Sequence, residues 1–235
     1  MSPAQRLRQL FGGAAAGPHA PAYYQRYRQR LRDEGQARST PLDQVRFVVL
    51  DTETTGLDHK RDHVVSFGAV RLRGGVIAVA DAVDWRIRTD LPSPGHSIVV
   101  HGVLNAELED GLPPGRFAER LLEYIGADVI VGYRLGFDMA IVNRLIREHA
   151  GGRIDNPTVD VFDLGMRADY PLKPGFVNPE PYGFDALCAR YALETPARHT
   201  ALGDAYTTAL LTAKLLHRLR EAGVQSLGDL LRAYR

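Results

Sequence analysis

The chain comprises 235 residues, 45% hydrophobic and 24% charged, with a formal net charge of +1. This is the balance of an ordinary globular protein with one sizeable core, and near-neutrality excludes an overall field announcing a polyanionic partner, leaving room for a local basic patch only. The single cysteine, Cys188 in FDALCARYAL, excludes an internal disulfide and fits a core helix in a reducing compartment, and no apolar run approaches the roughly 18 residues of a membrane span.

The first stretch contains GGAAAGPHAP, a Gly, Ala and Pro linker flanked by Arg-rich helical segments. It lacks the apolar region of a secretory signal, so a cytoplasmic protein is expected. PAYYQRYRQRLRDEG repeats Tyr23, Tyr27 and Leu31 at four-residue spacing, with Arg26, Arg28, Arg30 and Arg32 in other directions, which predicts an amphipathic helix with a basic side. Two uses stay open: packing on a domain surface, or contacting nucleic acid with tyrosines for stacking and arginines for phosphates. From residue 45 the pattern changes. RFVVLDTE, HVVSFGAVRLRG and GVIAVADAVDWRIRT are β-rich runs separated by turns, predicting an antiparallel meander. PPGRFAERLLEYIG reads as a helix, ADVIVGY as a buried strand, FDMAIVNRLIREHAG as a helix closed by Gly151, and TVDVFDLGMRA as a strand running into a helix. FDALCARYAL, the long ALGDAYTTALLTAKLLHRLREAG and a short SLGDLLRAYR complete the helices. The order predicts an α/β fold, a mixed sheet with a three-strand meander flanked by helices. The expected segmentation is a helical extension over 1–44, a catalytic-sized domain over 45–220 and a short packed helix over 221–235.

FVVLDTETTGLDHK places Asp51 and Glu53 on one face of a strand, since side chains alternate. Two carboxylates that close raise each other's pKa, so either the strand is merely ending in water or a positive partner should sit between them. Mg²⁺ or Mn²⁺, which prefer hard oxygen ligands, would need further acids from elsewhere. Asp138, where a strand meets a helix in VGYRLGFDMAIVNR, and Asp204, at the start of the long helix in RHTALGDAYTTALL, are the candidates. His199 lies five residues before Asp204, about 140° away on a continuous helix. Thr200 as N-cap would leave His199 on the preceding loop, free to act as a general base over the pocket.

DTETTGLD, GFDMAIVNR and HTALGDA, in that order, resemble the three motifs of the DEDDh (DnaQ-like) 3′-to-5′ exonucleases, and most the proofreading, DNA polymerase III epsilon-like branch, over residues 45 to about 220. The resemblance implies a ribonuclease H-like fold with a five-stranded sheet and a two-metal phosphodiester hydrolase releasing nucleoside monophosphates. Asp51 would bridge both Mg²⁺ or Mn²⁺ ions, Glu53 and Asp204 would complete the site of the ion that activates water, Asp138 would hold the second, and His199 would take the proton. Thr54, Gly56, Leu57 and His101, the last in VVHGV, match positions that bind the terminal nucleotide, and Phe137 is retained beside Asp138. Tyr133 and Arg134 replace the branch's usual His-Asn pair; Arg134 serves either as a phosphate contact or structurally. The chain stops soon after its last helix and QSLGDLL is a poor likeness of a sliding-clamp peptide, so a stand-alone relative is expected. The implied partner is nucleic acid, single-stranded or frayed DNA 3′ ends foremost and RNA as the alternative, with a DNA polymerase association possible and no membrane. A binding module that keeps the fold without activity is the competing class.

Overall fold

A computed structural model of the chain describes residues 20–89, 108–170 and 177–232. The apolar and β-branched runs after residue 45 form the expected meander: β1 (Arg46–Thr54), β2 (Val64–Arg73) and β3 (Val76–Arg86), antiparallel neighbours. Gly74 and Gly75 turn the chain between β2 and β3 with φ of 57° and 80°, values that cost glycine nothing. β4 (Val129–Gly132) lies parallel to β1, and β5 (Thr158–Asp160) parallel to β4, giving the sheet order β3-β2-β1-β4-β5. Parallel neighbours need a crossover. α3 (Gly136–Ala150) provides it between β4 and β5, while α2 (Pro114–Ile125) precedes β4. α4 (Val161–Asp169), α5 (Phe184–Arg190), α6 (Ala201–Glu221) and α7 (Leu227–Leu230) follow.

Alternation along β1 sorts its side chains into two apolar layers. Val48 and Leu50 pack with Phe117 of α2 and Ile141 and Ile146 of α3. Phe47 and Val49 face the other way, onto Leu164 of α4 and Ala209 and Leu215 of α6. Cys188 is buried, as its helical setting predicts. No helix among the described residues is long and apolar enough to cross a membrane.

The amphipathic segment near the start forms α1 (Ala22–Glu34). Its Tyr24 and Tyr27 are 1% and 3% exposed and belong to the layer of α2 and α3. The Tyr27 hydroxyl donates to Asn156 Oδ1 at 2.7 Å and accepts from the Asp155 amide at 2.8 Å, and Arg28 pairs with Asp155. Tyrosines so enclosed have no free face for a base, and of the two uses open to this helix the packing one accounts for them.

Candidate active site

Asp51 and Glu53 continue the odd-numbered face of β1, the face against which α6 packs. A helix reaches a strand's backbone closely only where no side chain intervenes. Gly68 on β2, the cross-strand partner of Asp51, supplies that gap: a Cβ there would lie 2.1 Å from the Leu202 amide nitrogen and 2.2 Å from the Ala201 carbonyl carbon. The first turn of α6 therefore rests on bare backbone beside Asp51. Asp204 sits one turn into that helix, and carboxylate oxygens of Asp51, Glu53 and Asp204 lie within 4.8 Å of one another.

Thr200 is the N-cap of α6, its hydroxyl accepting from the Gly203 amide at 3.2 Å. His199 is thus outside the helix, in the left-handed region at φ 64°, with an exposed side chain and an amide that donates to Asp204 Oδ2 at 3.1 Å. The adjacent Arg198 was not anticipated. Its Nη1 donates to the same Asp204 oxygen at 2.5 Å, its Nε to Asp185 at 2.9 Å, and its guanidinium stacks over Phe184 at 4.5 Å. Its place directly before His199 was the available signal; the pairing itself depends on the loop folding back.

Asp138 comes from the opposite layer, in the first turn of α3, and stands outside the 4.8 Å group. It is buried, and its Oδ1 accepts from the Thr52 hydroxyl at 2.6 Å and the Thr52 amide at 3.1 Å. Thr52, the even-numbered residue between the two acids, points toward the α3 layer and so orients the fourth carboxylate. The turn before α3 is held by Asp160 at the end of β5, which accepts from the Arg134, Leu135 and Phe162 amides, each at 3.0 Å. Tyr133 is structural in its contacts: its hydroxyl donates to the Tyr182 carbonyl at 3.0 Å and its ring lies edge-on to Phe162 and Phe184. Arg134 is exposed, at φ 50°, with its guanidinium 4.2 Å above Phe162. Phe137 is half-buried beside Asp138.

After β1, the Thr54 hydroxyl donates to the Gly56 carbonyl at 2.6 Å, and Leu57 projects outward at 91% exposure. A side chain at Gly56 would press on Asp62, whose carboxylate accepts from Thr55 and the Asp58 amide. His101 lies outside the described residues.

All four acids are held above the ordinary carboxyl range, first by burial. Asp51 is raised well above it by burial and by the neighbouring Asp138, Asp204 and Glu53, with Arg198 opposing. Glu53 is pushed up to about 7 by burial and then by Asp204. Asp138 rises to about 6 because its burial outweighs the hydrogen bonds from Thr52. Asp204 is also raised by burial, even though Arg198 and the His199 amide pull it down.

This is a donor set that fits divalent cations. Asp204 Oδ1 is buried without a hydrogen-bond partner, a state that costs free energy unless a further positive group completes it. The oxygens around it are the hard ligands that Mg²⁺ and Mn²⁺ take.

Residues 48–212 match the RNase_T family model, described as an exonuclease. A DNA polymerase III subunit epsilon-like protein of Rhodobacter capsulatus is 32% identical over 204 residues, 84% of this chain and 27% of that protein. The DNA polymerase III subunit epsilon of Aquifex aeolicus is 28% identical over 178 residues, 74% of this chain and 81% of that one. Among solved structures, E. coli exonuclease I in complex with a dT13 oligonucleotide is similar at a TM-score of 0.64 and 20% identity, covering 76% of this chain and 42% of that chain. That likeness concerns the fold, which is ribonuclease H-like. The chain spans about a quarter of the length of the Rhodobacter relative and less than half of exonuclease I.

Proposed function

The chain belongs to the exonuclease family matched over residues 48–212, and from that premise we propose a metal-dependent 3′-to-5′ exonuclease that releases nucleoside 5′-monophosphates from single-stranded or frayed DNA ends. The observation that carries this reading is the convergence of Asp51, Glu53 and Asp204 around a buried carboxylate oxygen that has no partner. A surface cluster of acids would be solvated; here Asp204 is buried, Asp51 and Glu53 are half-buried, and burial raises the pKa of all three.

Asp51 would be shared between two divalent cations, with Glu53 and Asp204 completing one and Asp138 holding the other. Such a pair supplies hydroxide at neutral pH and stabilises charge on the attacking and leaving oxygens. His199, exposed on the loop beside Asp204, accepts the proton of the attacking water. The hydrogen bond its amide donates to Asp204 fixes where the loop sits, and the Thr200 cap fixes where the helix begins. Arg198 donates to Asp204 Oδ2 through Nη1 and to Asp185 through Nε, so Asp204 Oδ1 is the oxygen that would serve a cation. Thr54, Gly56 and Leu57 receive the terminal nucleotide, with the exposed Leu57 against its base, and Arg134 offers a phosphate contact. DNA is favoured because the relatives are named for DNA polymerase III and exonuclease I was solved with dT13. Association with a DNA polymerase, in the cytoplasm, is proposed on the same ground.

The test uses 5′-labelled single-stranded 20-mers of DNA and RNA with Mg²⁺, Mn²⁺ or EDTA, for the unaltered chain and Asp51→Ala. The expected result is a metal-dependent ladder shortening from the 3′ end, faster on DNA and absent in the variant. No ladder from folded protein in either metal would replace this reading with the binding-module one; a faster RNA ladder would change the substrate.

A further inference from the structure

Beyond the acids, the molecule carries a cationic groove that the chemistry above does not use. It is an open cleft of about 520 Å³ between the β1–β2 connection and the outer face of α3. Its lining includes Lys60, Met139, Asn143, Arg144, Arg147 and Arg153, and no acidic residue. Arg144 ties the two walls together, donating to the Lys60 carbonyl at 2.6 Å and to the Asp62 carbonyl. Those partners are neutral, so its charge is not cancelled. Lys60 and Arg147 are exposed and form no ion pair among the described residues. Arg153 differs, being paired with Asp155 at 2.7 Å.

Both walls of the groove are built from elements that also carry residues of the acidic site. Met139 follows Asp138 in the first turn of α3, and Lys60 stands in the same connection that presents Leu57. From Met139 to Arg147 the helix advances by about 12 Å. That length takes roughly three phosphates at the ~3.4 Å rise of a stacked strand. A positive track on the elements that carry the acids complements the polyanion whose end the acids would receive.

We propose that this groove binds the sugar-phosphate backbone of the substrate strand on the 5′ side of the terminal nucleotide, with Lys60, Arg144 and Arg147 contacting phosphates and Met139 against a sugar or base. This rests on the exonuclease reading, since the occupant is that enzyme's own substrate. Each phosphate contact on a single strand contributes about −0.7 to the slope of log K against log salt.

The test is binding of 5′-fluorescein-dT20 to the full chain in EDTA between 50 and 200 mM salt. The double variant Lys60→Gln, Arg147→Gln is expected to lower the magnitude of the slope by about 1.4, as two lost contacts require. Arg26→Gln, which removes an exposed charge on α1, is expected to leave the slope as it was. Melting curves establish that each variant is folded. An unchanged slope in the double variant, or an equal fall in Arg26→Gln, would overturn the groove. Hydrolysis of the p-nitrophenyl ester of thymidine 5′-monophosphate by the unaltered chain with Mn²⁺ reports on the acidic site alone: its absence would sink the exonuclease reading while the binding slopes still decide the groove.

Discussion

Gly68→Ala is expected to disable the site without touching any of its functional groups. A Cβ at position 68 would stand 2.1 Å from the Leu202 amide nitrogen, and the neighbouring contact on Ala201 is also backbone, so no side chain can swing aside. Bringing 2.1 Å to an ordinary 3.4 Å contact requires the start of α6 to recede by about 1.3 Å. Asp204 is on that turn and moves with it. Metal ligation tolerates about 0.2 Å of error, and a displacement of about 1 Å at a reacting centre costs on the order of 100-fold, or about 2.7 kcal/mol of activation free energy. Overpacking also destabilises by about 1–3 kcal/mol, so the melting temperature should fall by roughly 2–12 °C. The assay is kcat/KM on a single-stranded 20-mer at saturating Mn²⁺, together with a Mn²⁺ titration, at a temperature where the variant is folded. Gly75→Ala is the companion: φ of 80° strains an alanine there but nothing lies within 4 Å, so it lowers stability far from the acids. If Gly68→Ala keeps activity within about threefold of the unaltered chain, the claim that bare backbone at this position sets the place of Asp204 is wrong.

Other outcomes follow from the same geometry. Glu53 and Asp138 bind protons more tightly folded, at about 7 and about 6, than unfolded. Their contribution to stability is therefore complete below the ordinary carboxyl range and lost as pH rises through about 7, so the metal-free chain should melt lower at pH 8 than at pH 6, and Glu53→Gln should flatten that difference. A fixed Mn²⁺ concentration, about 100 times its dissociation constant at pH 8, should add about 2.7 kcal/mol there and less at pH 6, where protons compete for the raised carboxyls, seen as a larger rise in melting temperature at pH 8; equal rises would contradict the raised carboxyls. Arg198→Met leaves the Asp204 carboxylate without its cation and should cost about 1–3 kcal/mol in urea unfolding, most of it restored by Mn²⁺; a loss that Mn²⁺ does not restore would place Arg198's role elsewhere. Thr200→Ala removes the cap of α6 and should cost about 1 kcal/mol, with the activity of the remaining folded protein reduced because the His199 loop is anchored there; unchanged stability would mean that the cap is idle.

Much of the fold is readable from the chain because its signals are short-ranged. The alternation of VRFVVLDTE, the Gly-Gly turn, the proline before α2 and the glycine after α3 act within a few residues of themselves, and the elements fall where those signals put them. The same alternation sends Asp51 and Glu53 to one side of β1, and the Thr200 cap separates His199 from the helix carrying Asp204. The remaining features join residues far apart in the chain. Nothing local to the glycine of VVSFGAV says that Leu202 approaches it. Likewise, Thr52 reaching Asp138, Asp160 holding the turn at Arg134, and Arg198 folding back on Asp204 each require the packed layers to exist first. The sequence by itself determined the elements, the acids and the histidine. Only tertiary packing decided that α6 lies on the odd face of β1 and α3 on the even one, because that choice is made by the burial of two apolar layers against opposite sides of one sheet, and no stretch of chain carries both sides at once.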